Sequence, residues 1–218
     1  MNRVKNRNAL FYAYIALVFI FIFLPILTSF VFSFNSERFP TIPLGHFTTH
    51  WYTLAFTDPD IWDAFRVSGI VSLSVAFLAT TLGFCTAYTD YRYNFFGKPV
   101  YLALSLLPPT IPLVIFGLAM LALLARIHMS GEILAIIVSH VVVCSPFAMA
   151  VVRMRLAQID PNLEAAAWNL GANQWRTMRE VIIPFCAPAI VSAFCLTAAV
   201  SFDEFAVAWF VSGLNKTV

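Results

Sequence analysis

Five stretches of this chain are each apolar over about twenty residues or more, the length that a helix needs to cross a hydrocarbon layer. They run over residues 10–34, 67–89, 100–124, 133–152 and 185–211. In lipid every backbone polar group must find its partner inside the chain, so spans of this kind are helices. The expected fold is all-α, a polytopic membrane helix bundle with five spans in a single domain over 1–218. Composition agrees: 61% of the residues are hydrophobic and 11% are charged, where a soluble domain carries about 25% charged residues. A net charge of +2 gives no reason to expect nucleic acid as a partner.

The first stretch follows a basic head, Arg3, Lys5 and Arg7. Its apolar run is too long for a signal peptide and no Ala-x-Ala cleavage site follows, so it reads as a retained anchor. The third stretch contains Pro108, Pro109 and Pro112. Proline removes a backbone donor, which predicts a kink or break there. With the N-terminus in the cytoplasm, the inner segments hold Arg3, Lys5, Arg7, Arg92, Lys98, Arg153, Arg155, Arg176 and Arg179, nine in all. The outer ones then hold four, Arg38, Arg66, Arg126 and Lys216. Positive charge collects on the cytoplasmic side, so this orientation is the expected one, with residues 35–65 and the C-terminal end outside. Cys85, Cys144, Cys186 and Cys195 lie in or beside apolar runs without metal-binding spacing and read as buried free thiols. His46 and His50 have no third ligand nearby in the sequence, so no metal site is expected.

The longest polar stretch, 153–184, carries the most specific pattern. Asp160-Pro161 is a helix start, since Asp caps and Pro fits the first turn. An Ala-rich helix follows and Gly171 ends it. A second helical stretch, 174–183, leads to Pro184 and the fifth span. A helix–Gly–helix along a membrane surface is either a docking element for a partner or an amphipathic connector.

The same loop resembles the EAA signature of ABC importer permeases: Glu-Ala-Ala, three residues, Gly, nine residues, and then Ile-x-Leu-Pro. Here Glu164, Ala165 and Ala166 precede Gly171, and Pro184 lies thirteen residues beyond it, with Val181 and Ile183 in the Ile and Leu places. Counting back from Gly171, the family's Glu place is Ala165, and Glu164 stands one residue earlier, about 100° around a helix. Gly45 to Leu54 with Trp51-Tyr52, Tyr91-Arg92-Tyr93 through Gly97-Lys98-Pro99, and Ser201-Phe-Asp-Glu-Phe205 are similar to segments of the spermidine/putrescine permease group. That group has six spans, and this sequence stops at Val218, before a sixth. The resemblance implies a multi-pass protein of the bacterial inner membrane with a cytoplasmic N-terminus. It also implies that the 153–184 loop docks on an ATPase through Glu164, Ala165, Ala166, Gly171 and Pro184. The implied partners are two ATPase subunits, a second homologous permease chain and an extracytoplasmic substrate-binding protein.

Asp203 and Glu204 fall inside the fifth apolar run, where carboxylates are costly and face a bundle interior or a wet path. Ala189, Ala193, Thr197 and Ser201 recur every fourth residue and form a small-residue stripe for close helix packing. An unbroken helix would place Glu204 toward this stripe and Asp203 on its flank. The candidate substrate path is therefore Asp203, Glu204 and Ser201, together with Trp51 in the outer loop, which serves equally as an interfacial anchor. Ser68, Ser72, Ala76 and Thr80 repeat the stripe in the second span, and His140 in the fourth reads as a structural hydrogen-bonding residue. No GxxxxGK[ST] loop is present, so the chain has no P-loop, and no catalytic constellation stands out. The expected function is a non-enzymatic pore subunit, without a cofactor, of an ATP-driven importer for polyamines or a related small amine or opine. The alternatives are a permease of the same scaffold for ferric ion or phosphonate, or a membrane scaffold or sensor that transports nothing.

Overall fold

The computed structural model describes residues 2–213, with side chains from Leu10 onward except at Pro161. Lys216 and the C-terminal end, used in the charge count above, lie outside the described residues, as do the side chains of Arg3, Lys5 and Arg7. The chain divides into two compact units, Met1–Pro59 and Asp60–Val218. Among the described residues there is no β-strand, only an isolated bridge between Asn35 and Phe47.

The first unit holds α1 (Asn2–Phe32), a loop and α2 (His50–Thr57). Asn35 organises the loop. Its side-chain oxygen accepts from the Gly45 amide at 2.8 Å, and its carbonyl accepts from the Trp51 indole at 2.9 Å. The hydroxyls of Ser33 and Tyr52 meet at 2.6 Å, and Phe34 stacks on Phe47 with ring centres 5.0 Å apart. Trp51, Tyr52, Phe32, Phe39 and Glu37 line an open cavity of about 410 Å³.

The second unit contains α3 (Pro59–Arg92), α4 (Lys98–Leu106), α5 (Leu113–Arg126), α6 (Ile133–Leu156), α7 (Pro161–Asn169), α8 (Gln174–Thr177), α9 (Ile183–Asp203) and α10 (Phe205–Val211). α6 is its axis, and two clusters of buried apolar side chains lie along it. One joins Val71 and Val75 of α3, Phe116, Met120 and Leu124 of α5, Ile136 and Val143 of α6, and Val207 and Val211 of α10. The other joins Ala87, Met149, Val152, Leu156, Ile182, Cys186 and Ala193.

Small residues set how closely these helices approach. A Cβ on Gly83 of α3 would lie 2.6 Å from both the Ala148 Cβ and the Met149 amide nitrogen of α6. One on Gly117 of α5 would lie 2.7 Å from the Phe210 ring. Both expected stripes are buried: Ser68, Ser72, Ala76 and Thr80 on α3, and Ala189, Ala193, Thr197 and Ser201 on α9. Two of their hydroxyls satisfy their own helix, Ser72 donating to the Gly69 carbonyl at 3.2 Å and Thr197 to the Ala193 carbonyl at 2.8 Å. Thr80 and Thr197 then face each other at 3.5 Å across the two stripes.

Among the described residues, four helices are long and apolar enough to cross a membrane: Leu10–Phe32, Pro59–Arg92, Ile133–Leu156 and Gln174–Asp203. The third apolar stretch breaks as its prolines predict. α4 stops at Leu106, Pro108–Thr110 make one 3₁₀ turn, and α5 begins after Pro112. Three expectations need correction. The stretch 174–183 is not a separate helix, because α8 runs through a π-helical turn, Met178–Ile182, directly into α9. Pro184 has no amide hydrogen to offer the turn before it, and the wider π turn sits where that bond is missing. The fifth stretch is not continuous either: α9 stops at Asp203, Glu204 leaves helical geometry with φ −81° and ψ 90°, and α10 restarts at Phe205. Of the four thiols, Cys144 and Cys186 are buried, while Cys85 and Cys195 lie exposed on the apolar flanks of their helices.

Candidate functional site

Two places combine polar chemistry with broken backbone. The first is the end of the second unit that carries residues 90–98 and 153–183. Asp160 caps α7, its side chain accepting from the Asn162 amide at 2.9 Å. Gly171 ends α7 with φ +82°, a left-handed conformation that glycine adopts without strain. The Gly171 amide donates to the Trp168 carbonyl at 2.9 Å and the Ala172 amide to the Ala167 carbonyl at 3.0 Å, the paired bonds of a Schellman cap. A Cβ on Gly171 would meet nothing within 4 Å. This glycine is required by the turn, and the space beside it is open.

α7 has two unlike faces. Leu163, Ala165, Ala166, Trp168 and Leu170 are exposed, Leu170 to 88%, and Trp175 and Pro184 are exposed beyond the turn. Glu164 is turned the other way and is only 5% exposed. Its carboxylate accepts from the Tyr91 hydroxyl at 2.5 Å and from Arg92 at 3.1 Å. The Arg92 guanidinium also lies over the Trp168 ring, 4.8 Å from its centre. Glu164, placed by the sequence in a contact with an ATPase, therefore faces into the protein, whereas Ala165, Ala166, Gly171 and Pro184 lie on the open side.

Sequence reasoning missed the partners of this carboxylate. Asp90, one residue before Tyr91, is buried and held from two sides: Arg153 of α6 donates to it at 2.6 Å, and the Lys98 ammonium of α4 lies 3.2 Å away. Three residues after Asp90, the Tyr93 hydroxyl accepts from Gln174 of α8 at 2.7 Å. Arg155 donates to the Phe185 carbonyl at 3.1 Å and lies over its ring at 4.1 Å. In the sequence Arg153 and Arg155 served only as topology charges, and Arg92 and Lys98 as topology charges and as part of a family-like segment. The single local hint was the run Asp90-Tyr91-Arg92-Tyr93, which is dense in hydrogen-bonding groups at a helix end.

The second place is the break in the fifth stretch. The Glu204 carboxylate caps α10, accepting from the Val207 amide at 2.9 Å, and its side chain is half-buried. Asp203 is exposed. Ser201, one turn earlier, is buried and its hydroxyl meets Nδ1 of His140 at 3.0 Å, joining α9 to α6. Nε2 of the same ring is buried without a partner among the described residues. The carboxyl end of a helix carries partial negative charge on its free carbonyls. At the end of α9 that charge adds to Asp203 and Glu204, so the break is an acidic step between apolar helices. α10 leans on α5 through Gly117, which brings together the two helices that follow the two breaks. Trp51 lies in the other unit, half-buried, with its indole N–H already used on the Asn35 carbonyl.

Known proteins match this chain over most of its length. The spermidine/putrescine transport system permease protein PotC of Escherichia coli (strain K12) is 31% identical over 196 residues, covering 90% of this chain and 74% of that protein. Its Haemophilus influenzae counterpart is 30% identical over 218 residues, covering all of this chain and 83% of its own length. The putrescine transport system permease protein PotI of Escherichia coli (strain K12) is 31% identical over 206 residues, covering 91% and 73%. Among solved structures, a bacterial ABC transporter involved in the import of the acidic polysaccharide alginate superposes with a TM-score of 0.72 at 14% identity, covering 97% of this chain and 82% of that one. The fold is thus that of an ABC transporter permease. A family model for the binding-protein-dependent transport system inner membrane component matches residues 79–218, so the chain belongs to that family and is a pore subunit of such an importer.

Proposed function

We propose that this pore subunit imports a polyamine such as putrescine or spermidine, driven by ATP hydrolysis on a separate chain. The observation that carries the substrate assignment is the acidic step at Glu204 and Asp203. Two carboxylates and a helix carboxyl end sit at a break between apolar helices, and such breaks in transporters put backbone and charge where a cargo passes. An ammonium group meets attraction there, and an anion meets repulsion. The names of the 30–31% identical relatives agree with this chemistry.

The working assembly in this reading comprises two permease chains, two ATPase subunits and an extracytoplasmic binding protein. The N-terminus and the 90–98 and 153–183 segments face the cytoplasm. The exposed apolar face of α7 beside Gly171 is the surface that meets the ATPase, since Leu163, Ala166 and Leu170 form one stripe with no cover from their own chain. Closure of the ATPases around ATP would push on α7 and alternate the pore between outward-open and inward-open states.

Uptake of radiolabelled putrescine by cells that carry the whole importer tests the substrate, with unlabelled spermidine, putrescine and sulfate as competitors. Competition by both amines and none by sulfate is the expected result. Importer-dependent uptake of radiolabelled sulfate, with none of putrescine, would overturn the assignment, and it would align the chain with a different relative, the 31% identical probable sulfate permease of Helicosporidium. Orientation is tested by a membrane-impermeant thiol reagent on Asn173→Cys in intact cells, where no labelling is expected.

A further inference from the structure

We infer that residues 90–93, at the end of α3, are the joint through which movement of α7 reaches the membrane-spanning helices, with Glu164 as the positioning residue on the α7 side; this rests on the coupling role proposed for α7. Covalent connection alone does not supply this link. α8 continues directly into α9, so a push on the loop reaches α9 along the backbone. α3 ends at Arg92, far from α7 in sequence, so only side chains tie the two.

Those side chains form a closed set. Successive residues of a helix point about 100° apart, so Asp90, Tyr91 and Arg92 reach neighbours on different sides of α3, and Tyr93 follows just beyond its end. Asp90 takes Arg153 of α6 and Lys98 of α4. Tyr91 and Arg92 take Glu164 of α7, and Tyr93 takes Gln174 of α8. The α7 contact fixes orientation as well as distance. Both oxygens of Glu164 are engaged, by Tyr91 and by Arg92, and Arg92 is stacked on Trp168 one turn along α7. The Glu164 side chain is 7% exposed, so water competes little for these bonds. Its face is opposite the open apolar face, so a force applied to the one is delivered through the other. In this arrangement α7 and the end of α3 move as one body.

The test tethers the two elements. In the assembled importer, with the four native cysteines replaced, Arg92→Cys and Glu164→Cys are joined by a flexible thiol-cleavable cross-linker. A one-body joint predicts that the cross-link restores the uptake lost in the uncross-linked double variant, and that cleaving it removes the gain. If cross-linking arrests uptake, and cleavage restores it, α7 must part from α3 during transport and the inference is overturned. A second set of variants stands beside this. Glu164→Ala should lower putrescine uptake per ATP hydrolysed by about tenfold, inside the 5–150-fold range of ordinary coupling energies, with the amount of assembled complex unchanged. The exchanged pair Glu164→Arg with Arg92→Glu should recover part of that loss. Normal uptake per ATP in Glu164→Ala would overturn the inference. If the wild-type importer carries no amine, the substrate reading fails by itself, and the joint is still read from the stimulation of ATP hydrolysis by the loaded binding protein.

Discussion

The apolar stretch of α3 and its last turn are held to α6 by opposite means. Along its apolar length, α3 meets α6 where side chains are nearly absent, Gly83 against Ala148. At its last turn the same two helices are joined by a carboxylate and a guanidinium, Asp90 and Arg153. In lipid there is no hydrophobic gain from bringing helices together, so close packing of small residues does the work. At the polar end water and salt are present, and charged bonds can be remade as the loop moves. The difference suggests a rigid span that carries a motion and an adjustable end that receives it.

Breaking the rigid side should have the largest effect. Gly83→Val places methyl groups where a Cβ alone would already stand 2.6 Å from backbone of α6, so the helices must part. Overpacking of this kind costs about 3 kcal/mol, and the expected outcome is little protein recovered in folded form from detergent, measured by size-exclusion fluorescence. Asp90→Ala comes next. It leaves Arg153 and Lys98 facing each other without their shared carboxylate. Removing one partner of a fully buried pair costs 3–5 kcal/mol. The Arg153 side chain is 47% exposed, which lowers the expectation to about 2 kcal/mol and a visible drop in thermal stability. Ser201→Ala removes one neutral hydrogen bond to His140, an expected loss of about 1 kcal/mol in the same assay. Gly171→Ala is the smallest change. Its Cβ meets open space, so only the positive φ resists it, at about 1 kcal/mol or less, confined to the α7 cap. A larger effect of Gly171→Ala on uptake than on melting would point to a partner lying against that open side.

The spans, the proline break and the two small-residue stripes were legible in the sequence because each rests on local pattern. Hydrophobic length, missing amide hydrogens and a four-residue repeat need no knowledge of distant residues. The break at Glu204 was not legible. Ser201-Phe-Asp-Glu-Phe205 contains neither Pro nor Gly, and the helix ends there while α10 packs against Gly117 of α5, far away in the chain. The inward turn of Glu164 was hidden for a related reason. Its partners Tyr91 and Arg92 lie 73 and 72 residues earlier. Within α7 itself the local signal was its apolar side, since Leu163, Ala166 and Leu170 share one side and leave Glu164 on another.

The acidic step is the centre of the functional account, and neutralising it is the most direct test. Asp203→Asn and Glu204→Gln keep size, and Gln can still accept from the Val207 amide through its side-chain oxygen, so the α10 cap survives. Charges about 4 Å apart interact by about 4 kcal/mol at an effective dielectric near 20, and the exposure of Asp203 screens part of that. A remaining loss of about 1.4 kcal/mol is a factor of ten. Putrescine uptake by the double variant, normalised to assembled importer, should therefore fall about tenfold or more. Full uptake with normal assembly would contradict the account and mark the two carboxylates as bystanders to the cargo.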